Sequence, residues 1–95
     1  MYKNKMSTIN IFIKSAIKVA SKTYALKITS DYTVFDVKKE IEGIDNVSAE
    51  WIRLWHSRKN QFLDNDRSNV QEVGIRENDT LWAEFRYKLD EKPHY

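Results

Sequence analysis

The side chains able to do chemistry in this 95-residue sequence are few: two histidines, three tryptophans and no cysteine. His56 and Ser57 adjoin, and Asp64 follows shortly after. A nucleophilic triad needs these three types within mutual hydrogen-bond reach, and nothing in the spacing brings them there, so catalysis is not expected. His56 and His94 are too few for a metal site without carboxylate support at ligand spacing, so none is expected. The absence of cysteine removes disulfides, thiolate ligands and a Cys nucleophile together. Two glycines are too few for a Gly-rich phosphate loop, and no cofactor is expected. What remains is recognition by large aromatic side chains.

The stretch WIRLWHSRKNQF, residues 51–62, carries two of the tryptophans. As a helix it would set Trp51 and Trp55 on one face, four residues apart. As a strand it sets Ile52 and Leu54 on one side and Trp51, Arg53 and Trp55 on the other. The alternation, the β-branched and aromatic content and the abrupt stop at HSRKNQ select the strand. TLWAEF, residues 80–85, alternates in the same way, with Leu81, Ala83 and Phe85 inward and Trp82 and Glu84 outward.

Other elements must hold these strands. From Ile9 the chain alternates, with Ile9, Ile11 and Ile13 on one face and Asn10, Phe12 and Lys14 on the other. TYALKIT alternates again, placing Tyr24, Leu26 and Ile28 inward, and pairs with the first strand across a somewhat wide loop in SAIKVASK. The period then changes. Val34, Val37 and Ile41 form one helical stripe, Thr33 is the expected N-cap, Asp36 lies in the first turn, and Gly43 sits where a left-handed C-terminal residue belongs. Phe62 and Leu63 make a brief strand or corner. A polar excursion follows, pinned by Val70, Val73 and Ile75, with a single helical turn expected near 69–73.

The composition suits one folded domain, with 41% hydrophobic and 32% charged residues. Sixteen basic residues against fourteen acidic ones give a formal charge of +2, too balanced for a nucleic-acid binder. The basic cluster of Arg53, Arg58, Lys59 and Lys14 reads better as solvated, and nucleic acid ranks well behind protein as a partner. No apolar run reaches the ~18 residues a membrane span needs, and no secretory leader is apparent. The expected setting is intracellular, cytoplasmic or nuclear.

The order of hairpin, helix, strand, short strand, excursion and strand is that of the β-grasp fold, and in detail the chain resembles ubiquitin. INIFIKS resembles its first strand, TVFDVKKEI its helix, IRLWHSRKNQFL the strand and turn that follow, and VQEVGIRENDTLWAEFR its last third. The likeness covers about residues 9–86. It implies an α+β fold, a mixed four- to five-stranded sheet packed on one helix, over residues 9–87, with a lead-in at 1–8 and a tail at 88–95. Lys38 stands at the place of a lysine largely buried in ubiquitin, and both a buried, paired state and an exposed one are open to it. Two departures bear on function. Ubiquitin-type modifiers end in Gly-Gly, whereas the matching stretch here reads RYKLDEKPHY, so conjugation is not expected. The apolar patch that ubiquitin shows its receptors is altered to Trp55, Trp82 and Glu84. RLW and VQEVGIRENDTLWAEF also resemble the ubiquitin-like modules embedded in ubiquitin-specific proteases.

The resemblance puts Trp55 and Trp82 on adjacent strands, facing away from the helix. With Arg53, His56 and Lys14 as a polar rim and Phe12 beside them, they have the composition of a protein-binding hot spot. The competing arrangement has the tail fold over the indoles, or Phe12 and lysine stems half-cover them. The expected function is a monomeric, non-enzymatic interaction module. Its partner is a ubiquitin-pathway component or, alternatively, the other domains of a parent protein bound in cis.

Overall fold

The computed structural model describes residues 7–16 and 22–85. β1 (Thr8–Ser15) and β2 (Lys22–Thr29) run antiparallel, with Ile11 opposite Leu26 and Ile13 opposite Tyr24. Thr8 already pairs with Thr29, so the first strand starts one residue before the expected domain boundary. Of the expected hairpin loop, residues 15–22, Ser15 belongs to β1 and Lys22 to β2; residues 17–21, the first six residues of the lead-in, and the tail lie outside the described residues.

The helix α1 (Val34–Asp45) opens on a reciprocal cap. The Asp36 amide donates to Thr33 Oγ1 at 3.1 Å, and the Thr33 amide donates to Asp36 Oδ2 at 2.9 Å. Two otherwise orphaned donors of the first turn are satisfied in this way. Its far end corrects the sequence reading. Gly43 is helical, and the left-handed residue is Asn46, at φ 60° and ψ 45°, whose amide donates to the Glu42 carbonyl at 2.8 Å. The extra residues are held because Asp45 Oδ2 accepts from Ser15 Oγ and from the Tyr24 hydroxyl, both at 3.0 Å. Asparagine tolerates the left-handed turn that then ends the helix.

A single 3₁₀ turn at Ala49–Trp51 leads into β3 (Ile52–His56), followed by β4 (Gln61–Phe62) and β5 (Thr80–Phe85). Trp51 thus lies before the strand rather than in it, and its ring packs on Phe85 at 5.3 Å. The sheet order is β2-β1-β5-β3-β4, with β1 and β5 parallel and the other pairs antiparallel. This is the expected mixed sheet with one helix, and it has five strands.

Val34, Val37 and Ile41 bring the helix onto one face of the sheet, where they meet Ile11, Ile13, Leu26, Leu54, Ile75 and Leu81 in a single buried cluster. Lys38, one residue beyond Val37, is buried too, and its ammonium donates to Asp66 at 2.7 Å. The pair ties α1 to the excursion between β4 and β5. That excursion turns at residues 70–74, with Val70 buried beneath it and Gly74 at φ +79°.

Candidate interaction surface

The face of the sheet away from α1 is set by strand alternation. Since Leu54, Leu81 and Ile13 point inward, their neighbours Trp55, Trp82 and Lys14 point outward. The register aligns them: Lys14 lies opposite Trp82, Trp82 opposite Trp55, and Trp55 opposite Phe62. One row of side chains therefore crosses four strands. Beside it Arg53 lies opposite Glu84, and Phe12 opposite Thr80.

Two rings of the row are in contact. Trp55 and Phe62 meet edge to face, with centroids 4.7 Å apart at 73°, a geometry that satisfies the ring quadrupoles. Trp82 is 38% exposed, Phe62 36% and Phe12 38%, while Trp55 is half-buried. Three large aromatics with over a third of their surface in water, on one sheet face, form an exposed apolar patch. Trp55, Phe62, Trp82 and Glu84 line a shallow depression of about 410 Å³.

The basic groups at the rim engage these rings. The Arg53 guanidinium lies 3.5 Å from the Phe62 centroid, and its Nε and Nη2 donate to the two oxygens of Asp64 at 3.1 and 2.9 Å. That bond to Asp64 holds the Arg53 pKa above its ordinary value. The Lys14 ammonium sits 5.3 Å from the Trp82 centroid. Trp55, Trp82, Arg53, Lys14 and Phe12 thus all lie on the outer face, and Phe62 joins them, brought there by the register of a two-residue strand.

His56 does not belong to this group. Its side chain is fully buried on the opposite face, because alternation places residue 56 with Ile52 and Leu54. Its Nε2 lies 2.8 Å from Asp79 Oδ2, and Nδ1 has no partner among the described residues. Asp79 also accepts from Arg58 Nε at 2.9 Å, Arg58 Nη2 at 3.2 Å and the Arg76 amide at 2.8 Å. Burial alone would raise the Asp79 carboxyl, but Arg58, the Arg76 amide and His56 outweigh it and lower the pKa to about 2. The cluster closes the turn after β3 against the start of β5. It is a fold anchor, and sequence reading missed it because its members are up to 23 residues apart.

A second anchor stands near the end of α1. Asp45 takes the hydrogen bonds of Ser15 and Tyr24 described above, and the Lys22 ammonium lies 3.0 Å from its Oδ1 as an ion pair without hydrogen-bond alignment. Burial would raise Asp45; the nearby Lys22 ammonium and the hydrogen bonds of Tyr24 and Ser15 prevail and lower it. Burial and the same carboxylate hold the Tyr24 phenol well above its usual pKa.

The residues weighed for catalysis do not assemble. Asp64 is bound to Arg53 on the outer face, while His56 is buried against Asp79 and Ser57 is exposed in the following turn. Among the described residues, no three His, Cys, Asp or Glu side chains are placed to hold a metal ion, and no helix is long and apolar enough to cross a membrane. His94 lies outside those residues.

Several solved structures share this architecture. The ubiquitin-like domain of an Arabidopsis thaliana protein superposes with a TM-score of 0.74 at 22% identity, covering 90% of this chain and 85% of that one. The ubiquitin-like domain of Plasmodium falciparum Dsk2 gives 0.69 at 22% identity, over 83% and 99% of the two chains. Caldiarchaeum subterraneum ubiquitin gives 0.70 at 16% identity, over 85% and 96%. No protein-family model matches the sequence, and no curated protein matches it. The chain has the ubiquitin-like β-grasp fold.

Proposed function

We propose that this chain is a non-enzymatic ubiquitin-like interaction module that binds a protein partner through the outer face of its sheet. One observation carries the reading: Trp55 and Trp82 stand in register on adjacent strands, on the face opposite the core, with Phe62 completing an aromatic row. Central aromatic anchors are the side chains from which interfaces draw most of their binding energy. Arg53 and Lys14 supply the rim, and Phe12 extends the apolar surface. The reading is of a module that is recognised rather than conjugated: the stretch after β5, RYKLDEKPHY, holds no Gly-Gly, and Gly43 and Gly74 lie in α1 and in a turn. The setting we propose is intracellular, cytoplasmic or nuclear, with a partner from the ubiquitin pathway.

The test is capture of binding proteins by the wild-type chain and by the double variant Trp55→Ala, Trp82→Ala. Anchor truncation costs about 2 kcal/mol or more per residue in a typical interface, roughly 30-fold in affinity. A partner held by the wild type and released by the variant supports the reading, provided the variant still unfolds cooperatively. A partner held equally by both moves the site elsewhere. Capture restricted to other parts of the chain's own parent protein selects packing in cis, as in a deubiquitinating protease.

A further inference from the structure

The aromatic face contains one arrangement twice, filled in one place and open in the other. In the filled copy, the Arg53 guanidinium lies over the Phe62 ring and both oxygens of Asp64 receive its N–H groups. In the open copy, the rings of Trp55 and Trp82 line the depression and Glu84 is its only charged lining residue. Arg53 is the cross-strand neighbour of Glu84 and feels its charge, yet its fork is committed to Asp64, and Glu84 has no ion pair within 4 Å among the described residues. We propose that this depression receives an arginine side chain of the partner protein, stacked on the indoles and paired with Glu84. The inference rests on the proposed sheet-face interface and specifies the chemistry of its partner.

Three physical points favour arginine. Tryptophan has the strongest ring quadrupole for attracting a cation, and two indoles lie side by side here. The guanidinium is planar, weakly hydrated and able to meet a carboxylate with two parallel N–H groups, whereas an ammonium holds its water too firmly for a shallow site. The local charge permits entry: Lys14 and Arg53 are offset by Asp64 and Glu84, so the patch carries no net repulsion for an incoming cation. Lys14 lies 5.3 Å from the Trp82 ring, and the guest competes with it for that ring.

The experiment follows the indole N–H signals of the ¹⁵N-labelled full chain during titration. The probes are three Gly/Ser peptides that differ at one central residue: arginine, its neutral isostere citrulline, or glutamate. The arginine peptide is expected to shift the Trp55 and Trp82 signals in a saturable way, with citrulline weaker by about tenfold for want of the charge. Glu84→Gln, an exposed and conservative change, is expected to weaken arginine binding roughly tenfold while leaving the rest of the spectrum in place. Lys14→Gln is expected to strengthen it a few-fold by removing the competing cation. Equal binding of arginine and citrulline, or indifference to Glu84→Gln, overturns the proposal and leaves a purely apolar patch. Preferential shifts with the glutamate peptide overturn it in favour of an anionic partner at Lys14 and Arg53. None of these failures touches the proposed interface itself, which stands or falls on the Trp55, Trp82 capture experiment.

Discussion

Leu54 and Trp55 are consecutive residues of β3 on opposite faces of one sheet. On the inner face, Leu54 has no exposed surface and lies among aliphatics from α1 and the neighbouring strands. On the outer face, Trp55 meets Phe62 edge to face and lies opposite Trp82, and both of those rings are more than a third exposed. The same division holds for Leu81 and Trp82 on β5. The inner face uses close packing and two buried carboxylates to fix the fold. The outer face keeps its largest side chains accessible and its charges at the edge. A strand's alternation thus lets one segment pack a core on one side and present accessible aromatics on the other.

Substitutions on each face probe how clean that division is. The largest effect is expected from Leu54→Ala, which leaves a cavity where no surface was exposed and lowers stability by about 2–5 kcal/mol in urea unfolding. A loss below about 1 kcal/mol would show that the inner face is more plastic than its packing suggests.

Acid comes next. Asp79 has an ordinary pKa of 3.8 and is held at about 2 in the fold. A lowered folded-state pKa means that its stabilisation is complete above the unfolded value and is lost as pH falls from about 4 towards 2. The contribution is about 2 kcal/mol at neutral pH. Asp79→Asn should remove a similar amount at pH 7 and flatten the acid limb of a stability–pH curve. An unchanged acid limb would mean that the anchor at His56 and Arg58 contributes nothing distinctive.

The helix shows the same contrast between a packed side and a solvent side. Gly43 faces open space, with nothing within 4 Å of an added Cβ. Gly43→Ala should therefore stabilise the domain by about 0.5–1 kcal/mol, seen as a higher melting temperature. A loss would restore Gly43 as a left-handed cap in place of Asn46.

The smallest effect belongs to the outer face. Trp82→Ala should change stability by about 0.5 kcal/mol or less. A greater loss in thermal unfolding would show that the two faces are not energetically separate.

Much of the architecture was legible because local signals agreed. Alternation in β1, β2, β3 and β5, the Val34, Val37, Ile41 stripe and the Thr33–Asp36 cap each named their element, and the fold follows from their order. The errors came where a local rule met a distant contact. Gly43 carries the stronger stop signal, but Asp45 is bound to Ser15 and Tyr24 and carries the helix past it. Composition suggests His56 for the rim, whereas the alternation of Ile52 and Leu54 puts it inside. Phe62 joined the aromatic row only through the register of a two-residue strand, which no periodicity can reveal. Arg58 and Asp79 lie 21 residues apart, and neither announces the other.

The strand order also constrains how the molecule comes into being. β5 is the last of the described strands in sequence and stands at the centre of the sheet, with β1 on one side and β3 on the other. Until residues 80–85 leave the ribosome, the hairpin of β1 and β2 and the pair of β3 and β4 have no strand to join them. The nascent chain therefore carries both halves with open edges, and the parallel contact between Ile13 and Leu81 forms only after nearly the whole domain has been synthesised. Such distant pairing makes folding slow relative to a helical protein of equal size. It also makes the final strand the step that turns two aggregation-prone fragments into one sheet.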